Sequence, residues 1–240
     1  MKIRSRSFLP VLTLASAAVF SAHVRDAHSQ PAPSASAAPS PEAAPAAETA
    51  DVVKKVQAFY DKTTTFKAEF TQDFFVKAYN KKKASKGRVT FSKPGKMDFA
   101  YDDPKDNRVV SDGSLLRVYE AENKQVYEQT MDKSQYPAAL TFLTGQGKLA
   151  DHFQFEGYRG AAMNFPGGFV LLGTPKAANP AFEKVLFYID SATYQVRRVV
   201  VVDAQGNRNR FDFINPKINE AVPENQFKFT PPPGTTTVRP

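Results

Sequence analysis

The sequence predicts a strand-dominated α+β fold: an incomplete antiparallel β-barrel of about eleven strands, with helices over its open side. Three observations lead there. From Thr65 onward apolar and polar residues alternate with period two through most of the chain, the signature of strands with one buried and one wet face. Turn signals fall close together between these segments, as in an antiparallel meander. Only two stretches carry helical spacing, too few to fill a complete barrel and also cover its mouth.

The elements follow in order. Residues 1–29 read as an export signal, with a basic MKIRSRS start and a short apolar VLTLASAAVF stretch that is too short for a stable transmembrane helix. Ala27 and Ser29 suit cleavage before Gln30; Ser16 and Ala18 offer a second position. Residues 30–50 are rich in Pro, Ala and Ser and have no apolar face, as expected of a disordered linker. A single domain is expected over 51–240, where no repeat or composition shift interrupts the chain. Asp51 is the expected N-cap of a helix whose apolar stripe is Val52, Val53, Val56, Phe59 and Tyr60.

The first strand, FKAEFTQDFFV (66–76), places Phe66, Ala68, Phe70, Gln72, Phe74 and Val76 on one face, of which only Gln72 is polar. Further strands are expected at 87–93, 96–102, 107–111, 115–120 and 124–130, separated by Pro94–Gly95, Asp103–Pro104, Asp112–Gly113 and Glu122–Asn123. SQYPAALTFLTGQG then breaks the alternation. Ser134 and Pro137 start a short helix, Gly145 and Gly147 end it, and Ala138, Ala139, Leu140, Phe142 and Leu143 make it apolar. Strands resume at 151–157, 168–173, 182–190, 195–203 and 207–214, with QFKF (226–229) as a last short strand before TPPPG.

Composition excludes several chemistries. The chain of 240 residues has no Cys and no Trp but 20 Phe, so it has no disulfides, no thiol nucleophile and no thiolate metal site. His23 and His28 lie in the leader, leaving His152 without a Gly-x-Ser-x-Gly elbow or a partner cluster. No P-loop or dinucleotide fingerprint occurs, and the acidic run DDPKDN (102–107) lacks the calcium-loop register. No catalytic residue, metal site or cofactor is therefore expected, and the protein is not read as an enzyme. The formal charge is +8; residues 1–30 hold four of the 32 basic side chains and one of the 24 acidic ones, leaving +5 for the rest. The one basic cluster is Lys77, Lys81, Lys82, Lys83, Lys86 and Arg88, between the first two strands. Its plain reading is a solvated hairpin tip. Its functional reading is a docking patch for an acidic protein or anionic lipid headgroups. Nucleic acid is not expected, because the nearby rings lie on the buried parity.

Several ordered stretches resemble one family, the periplasmic outer-membrane lipoprotein carrier proteins (LolA). FKAEFTQ is similar to the family's opening Phe-x-Ala-x-Phe-x-Gln strand. SKPGKMDFAYDDPKDNRVVSDGSLLRVYE resembles its central block, FVLLGTPK its Leu-x-Pro-Lys segment, and FKFTPPPG its C-terminal Phe-x-Phe-x-Pro-Pro-x-Gly. The resemblance implies an unclosed β-barrel with a helical lid over a hydrophobic cavity. It also implies a monomeric periplasmic chaperone of a Gram-negative bacterium. Such a chaperone takes triacylated lipoproteins from an inner-membrane ABC transporter and passes them to an outer-membrane receptor. The receptor is itself a lipoprotein, so the absence of Cys argues against that role here.

On this reading the acyl chains meet Phe66, Phe70, Phe74, Phe91, Phe99 and Tyr101 from the sheet and Leu140 and Leu143 from the lid. Two residues depart from the family pattern. Lys93–Pro94 stands where the family has Arg-Pro, and that Arg helps hold the lid closed; Lys offers a point charge rather than a planar fork. Phe99 stands where the family has Trp. Two alternatives are a carrier of free lipid or another apolar ligand, and a lipoprotein-sensing regulator of the same fold.

Overall fold

The computed structural model describes residues 42–131, 145 and 147–239. The expected signal and the helix with Leu140 and Leu143 lie outside these residues. Helix α1 spans Ala46–Asp61. It is followed by β1 (Thr65–Val76), β2 (Lys81–Ser92), β3 (Lys96–Asp103), β4 (Arg108–Asp112), β5 (Leu115–Glu120) and β6 (Gln125–Thr130). After the short helix α2 (Leu149–His152) come β7 (Phe153–Arg159), β8 (Gly168–Pro175), β9 (Lys184–Asp190), β10 (Val196–Val202), β11 (Arg208–Ile218) and β12 (Thr236–Val238).

The twelve strands among the described residues form one sheet in the order β12-β6-β5-β4-β3-β2-β1-β11-β10-β9-β8-β7. The two ends of that order do not pair, so the sheet is open, as expected. Every pair is antiparallel except β12 on β6, which is parallel. The pairing of β1 with β11 joins the N-terminal run to the C-terminal run.

Four details depart from the expectations. Helix α1 begins at Ala46, five residues before Asp51, because Pro45 precedes a run of good helix formers, Ala46, Ala47 and Glu48. Residues 42–45, read from composition as linker, already belong to the fold: Ala43 bridges Tyr158 and the Ala44 amide donates to the Gly157 carbonyl at 2.7 Å. Strand β2 starts at Lys81 rather than residue 87, so the chain reverses more tightly, through a 3-10 turn at Lys77–Tyr79 and Asn80 with φ 48°.

The fourth concerns QFKF, which is not a strand. Glu224–Phe227 is a 3-10 turn. This segment crosses β3 and β4, which are already paired on both sides, so no ladder is open to it. Side chains hold it instead. Arg108 donates to both carboxylate oxygens of Asp98 at 2.7 and 3.1 Å and to the Gln226 carbonyl at 2.7 Å. The Gln226 amide also donates to Asp98. Past the turn at Pro232–Thr235, the chain reaches the free edge of β6 and pairs there as β12.

Candidate functional site: an aromatic face under a tied helix

The alternation in β1 places its rings as expected. Phe66, Phe70, Phe91 and Phe99 are each at most 1% exposed, and Tyr101 is buried as well. They meet edge to face. Phe70 lies 5.3 Å from Phe99 and 5.2 Å from Tyr101, centroid to centroid, while Phe91 lies 5.6 Å from Phe99. Such tilted pairs suit the ring quadrupole. Phe70 and Tyr101 can touch across β2 because the residue between them is Gly87, paired to both. A Cβ there would sit 2.1 Å from the Ala100 carbonyl oxygen.

Two further rings belong to this face and were not singled out from the sequence. Phe211 and Phe213 of β11 are buried, at 5.8 Å from Phe99 and 5.4 Å from Phe66 respectively. Their signal was present in the alternating RFDFI. What the sequence did not show was that β11 lies beside β1. A second aromatic group, Phe153, Phe155, Phe182 and Phe187, continues the same apolar cluster over β7–β9.

Gln72, the one polar residue in its series, marks where the apolar face ends. It is buried, accepts from the Tyr101 hydroxyl at 2.9 Å and donates to Asn209 at 2.9 Å. A buried amide with both ends partnered carries little desolvation cost. Phe74, one step further out, is only half-buried. It lies beyond the end of β3, which pairs with β2 only as far as Lys86.

Helix α1 covers part of the apolar face with Val52, Val53, Val56 and Tyr60, packing on β7 and β8. Its fit there is close: the space lined by Thr49, Val52, Gly157 and Leu171 has no room for a water molecule. Two polar ties hold its C-terminal end. The Tyr60 hydroxyl accepts from the Val196 amide at 3.0 Å, and burial raises its pKa. The Lys93 ammonium donates to the Tyr60 carbonyl. A cation at a helix C-terminus is favourably placed against the helix dipole. Burial lowers the Lys93 pKa, and nearby Asp61 opposes that shift. The Lys93 stem lies against Gly145, where an added Cβ would fall 2.8 Å from Lys93 Cδ. Lys93 thus joins the β2–β3 turn to the end of α1.

No group of three or more His, Cys, Asp or Glu among the described residues could hold a metal ion. The arrangement offers apolar area and a tied helix.

The family model described as outer membrane lipoprotein carrier protein LolA matches residues 61–230. An outer-membrane lipoprotein carrier protein of Dechloromonas aromatica is 29% identical over 189 residues, covering 79% of this chain and 88% of the relative. The carrier of Ralstonia nicotianae is 29% identical over 196 residues, with the same coverage. Among solved structures, a LolA superfamily protein from Nitrosomonas europaea aligns with a TM-score of 0.43 at 8% identity, covering 75% of this chain and 97% of that one.

Proposed function

The chain belongs to the outer membrane lipoprotein carrier protein LolA family, and on that premise we propose that it carries acylated lipoproteins through the periplasm as a monomer. Cargo is taken from an inner-membrane ABC transporter and released to an outer-membrane receptor. The acyl chains lodge against Phe66, Phe70, Phe91, Phe99 and Tyr101, extended by Phe211 and Phe213, with Phe74 at the outer rim. Leu140 and Leu143, read from the sequence as the lid's contribution to this site, lie outside the described residues.

The observation that carries this reading is a continuous ring face on a sheet whose ends do not pair. An acyl chain gains about 0.8 kcal/mol per buried CH₂, so a sixteen-carbon chain gains roughly 12 kcal/mol at full burial. That gain is needed to keep a lipid in water, and is too large for ready release. The rings of this face pack against one another. Cargo must displace those contacts, and their loss subtracts from the gain. Phenyl walls add non-directional contact that tolerates varied chains. Lys93, through Tyr60, sets how firmly the closed state competes with cargo.

Native mass spectrometry of protein recovered from its own periplasm tests the reading. Co-purifying acylated protein is expected. Free lipid alone would make it a lipid carrier, and an empty protein under conditions of active lipoprotein traffic would remove the proposal.

A further inference from the structure

The β1–β2 hairpin carries a feature that the carrier reading does not use. Strand β2 pairs with β3 only from Lys86 onward, while its pairing with β1 continues to Lys81. Residues 81–85 therefore overhang β3 by about 16 Å at the usual strand rise. The hairpin tip carries Lys77, Lys81, Lys82 and Lys83, with Lys86 at its base, and no acidic residue occurs between Phe74 and Arg88. Asp73 pairs with Lys82 at 2.8 Å from below. Arg208 adds a guanidinium 4.9 Å over the Phe75 ring. At the apex stands Tyr79, 75% exposed, while Phe74, Phe75 and Val76 behind it are half-buried.

We propose that this hairpin tip docks the protein onto membrane surfaces that bear anionic lipid headgroups. Lysines at an unpaired strand edge also deter edge-to-edge pairing, but that purpose calls for one or two charges and no exposed ring. Lys81, Lys82 and Lys83 are consecutive, so they project to alternate sides of the strand. Charge on all sides of a projecting finger fits a diffuse, planar negative surface better than the fixed carboxylates of one protein face. A tyrosine at the apex suits the headgroup level, where its ring finds apolar contact and its hydroxyl finds water. The inference does not depend on what the ring face carries.

The test is vesicle co-sedimentation of the protein recovered in soluble form after expression of the full chain. Vesicles are phosphatidylcholine alone or with about 30% phosphatidylglycerol, enough to create the negative surface potential that attracts lysines. Binding is expected only to the anionic vesicles, and should fade near 0.5 M salt, where the Debye length is about 4 Å. Each lysine near such a surface contributes about fivefold, so Lys81→Glu/Lys86→Glu should weaken binding at least about 25-fold. The charge-matched control Lys54→Glu/Lys62→Glu, on and just after α1, should change it less than about threefold. Thermal melts report whether each variant is folded.

Because the chain has no Trp, Tyr79→Trp supplies a single fluorophore. Its emission should shift to the blue on anionic vesicles and stay unchanged on neutral ones. Equal loss in the control pair would reduce the effect to net charge and overturn the proposal. So would equal binding to neutral vesicles, an unshifted Tyr79→Trp emission, or binding to polyglutamate with none to vesicles, which would assign the tip to an acidic protein.

Discussion

Replacing Lys93 by methionine removes one charge while keeping the unbranched stem that lies against Gly145. What is lost is the ammonium bond to the Tyr60 carbonyl at the end of α1. A hydrogen bond from a charged donor contributes about 1.5–3 kcal/mol when buried. Lys93 is half-buried, so screening lowers this to about 1–1.5 kcal/mol, or roughly tenfold in the closed-to-open ratio. Two readouts follow. The melting temperature should fall by about 2–5 °C, since each kcal/mol moves a domain of this size by about 2–4 °C. The affinity for a fluorescent palmitate analogue should rise by up to about tenfold, because closure competes with cargo for the ring face. Hand-off to the receptor should slow in proportion. A lower melting temperature with unchanged palmitate affinity would make Lys93 a structural tie only. Weaker palmitate binding would contradict the competition outright.

Other perturbations separate the site from its scaffold. Phe70→Glu should lower lipoprotein retention in a pull-down while the protein is still exported, with Phe70→Leu retaining most of the binding; retention equal to wild type in Phe70→Glu removes Phe70 from the site. Arg108→Met strands the Asp98 carboxylate, which is 2% exposed, and should cost about 3–5 kcal/mol, seen as a fall of about 10 °C in melting temperature. Asp98→Leu/Arg108→Met should recover part of that loss, and a double variant no better than the single would show that the stranded charge is not the cause. Glu128 accepts from Arg117 at 2.9 Å and Arg239 at 2.8 Å, clipping the end of β12 to the sheet edge. The Arg117 bond is the main cause that holds its pKa below the ordinary 4.5. Its stabilisation is therefore present above pH 4.5 and is lost as pH falls through the lower folded value. Glu128→Gln should melt below wild type at neutral pH, and the gap should close in acid; a constant gap across pH would contradict the ion-pair account.

Local alternation was enough to read β1 and its ring face, because in a strand the parity of each residue decides which side it faces. Most strand and turn types followed from the same short-range rules, as did the closely spaced hairpins from β2 to β6; residues 151 and 152, read as strand, instead end the short helix α2. The motif order carried the family. Other features depended on contacts between residues far apart in the chain. Phe211 and Phe213 joined the site only once β11 was placed beside β1, some 140 residues away, a choice that local pattern does not encode. QFKF alternates like a strand yet found no free edge, so Asp98 and Arg108 pinned it as a turn and the strand formed further on. What Lys93 bonds depended on where the end of α1 came to rest. Sequence alone thus decided which faces are apolar, since that is set residue by residue; tertiary structure decided what each face meets, since pairing edges and helix ends are satisfied by whichever distant groups the fold brings near.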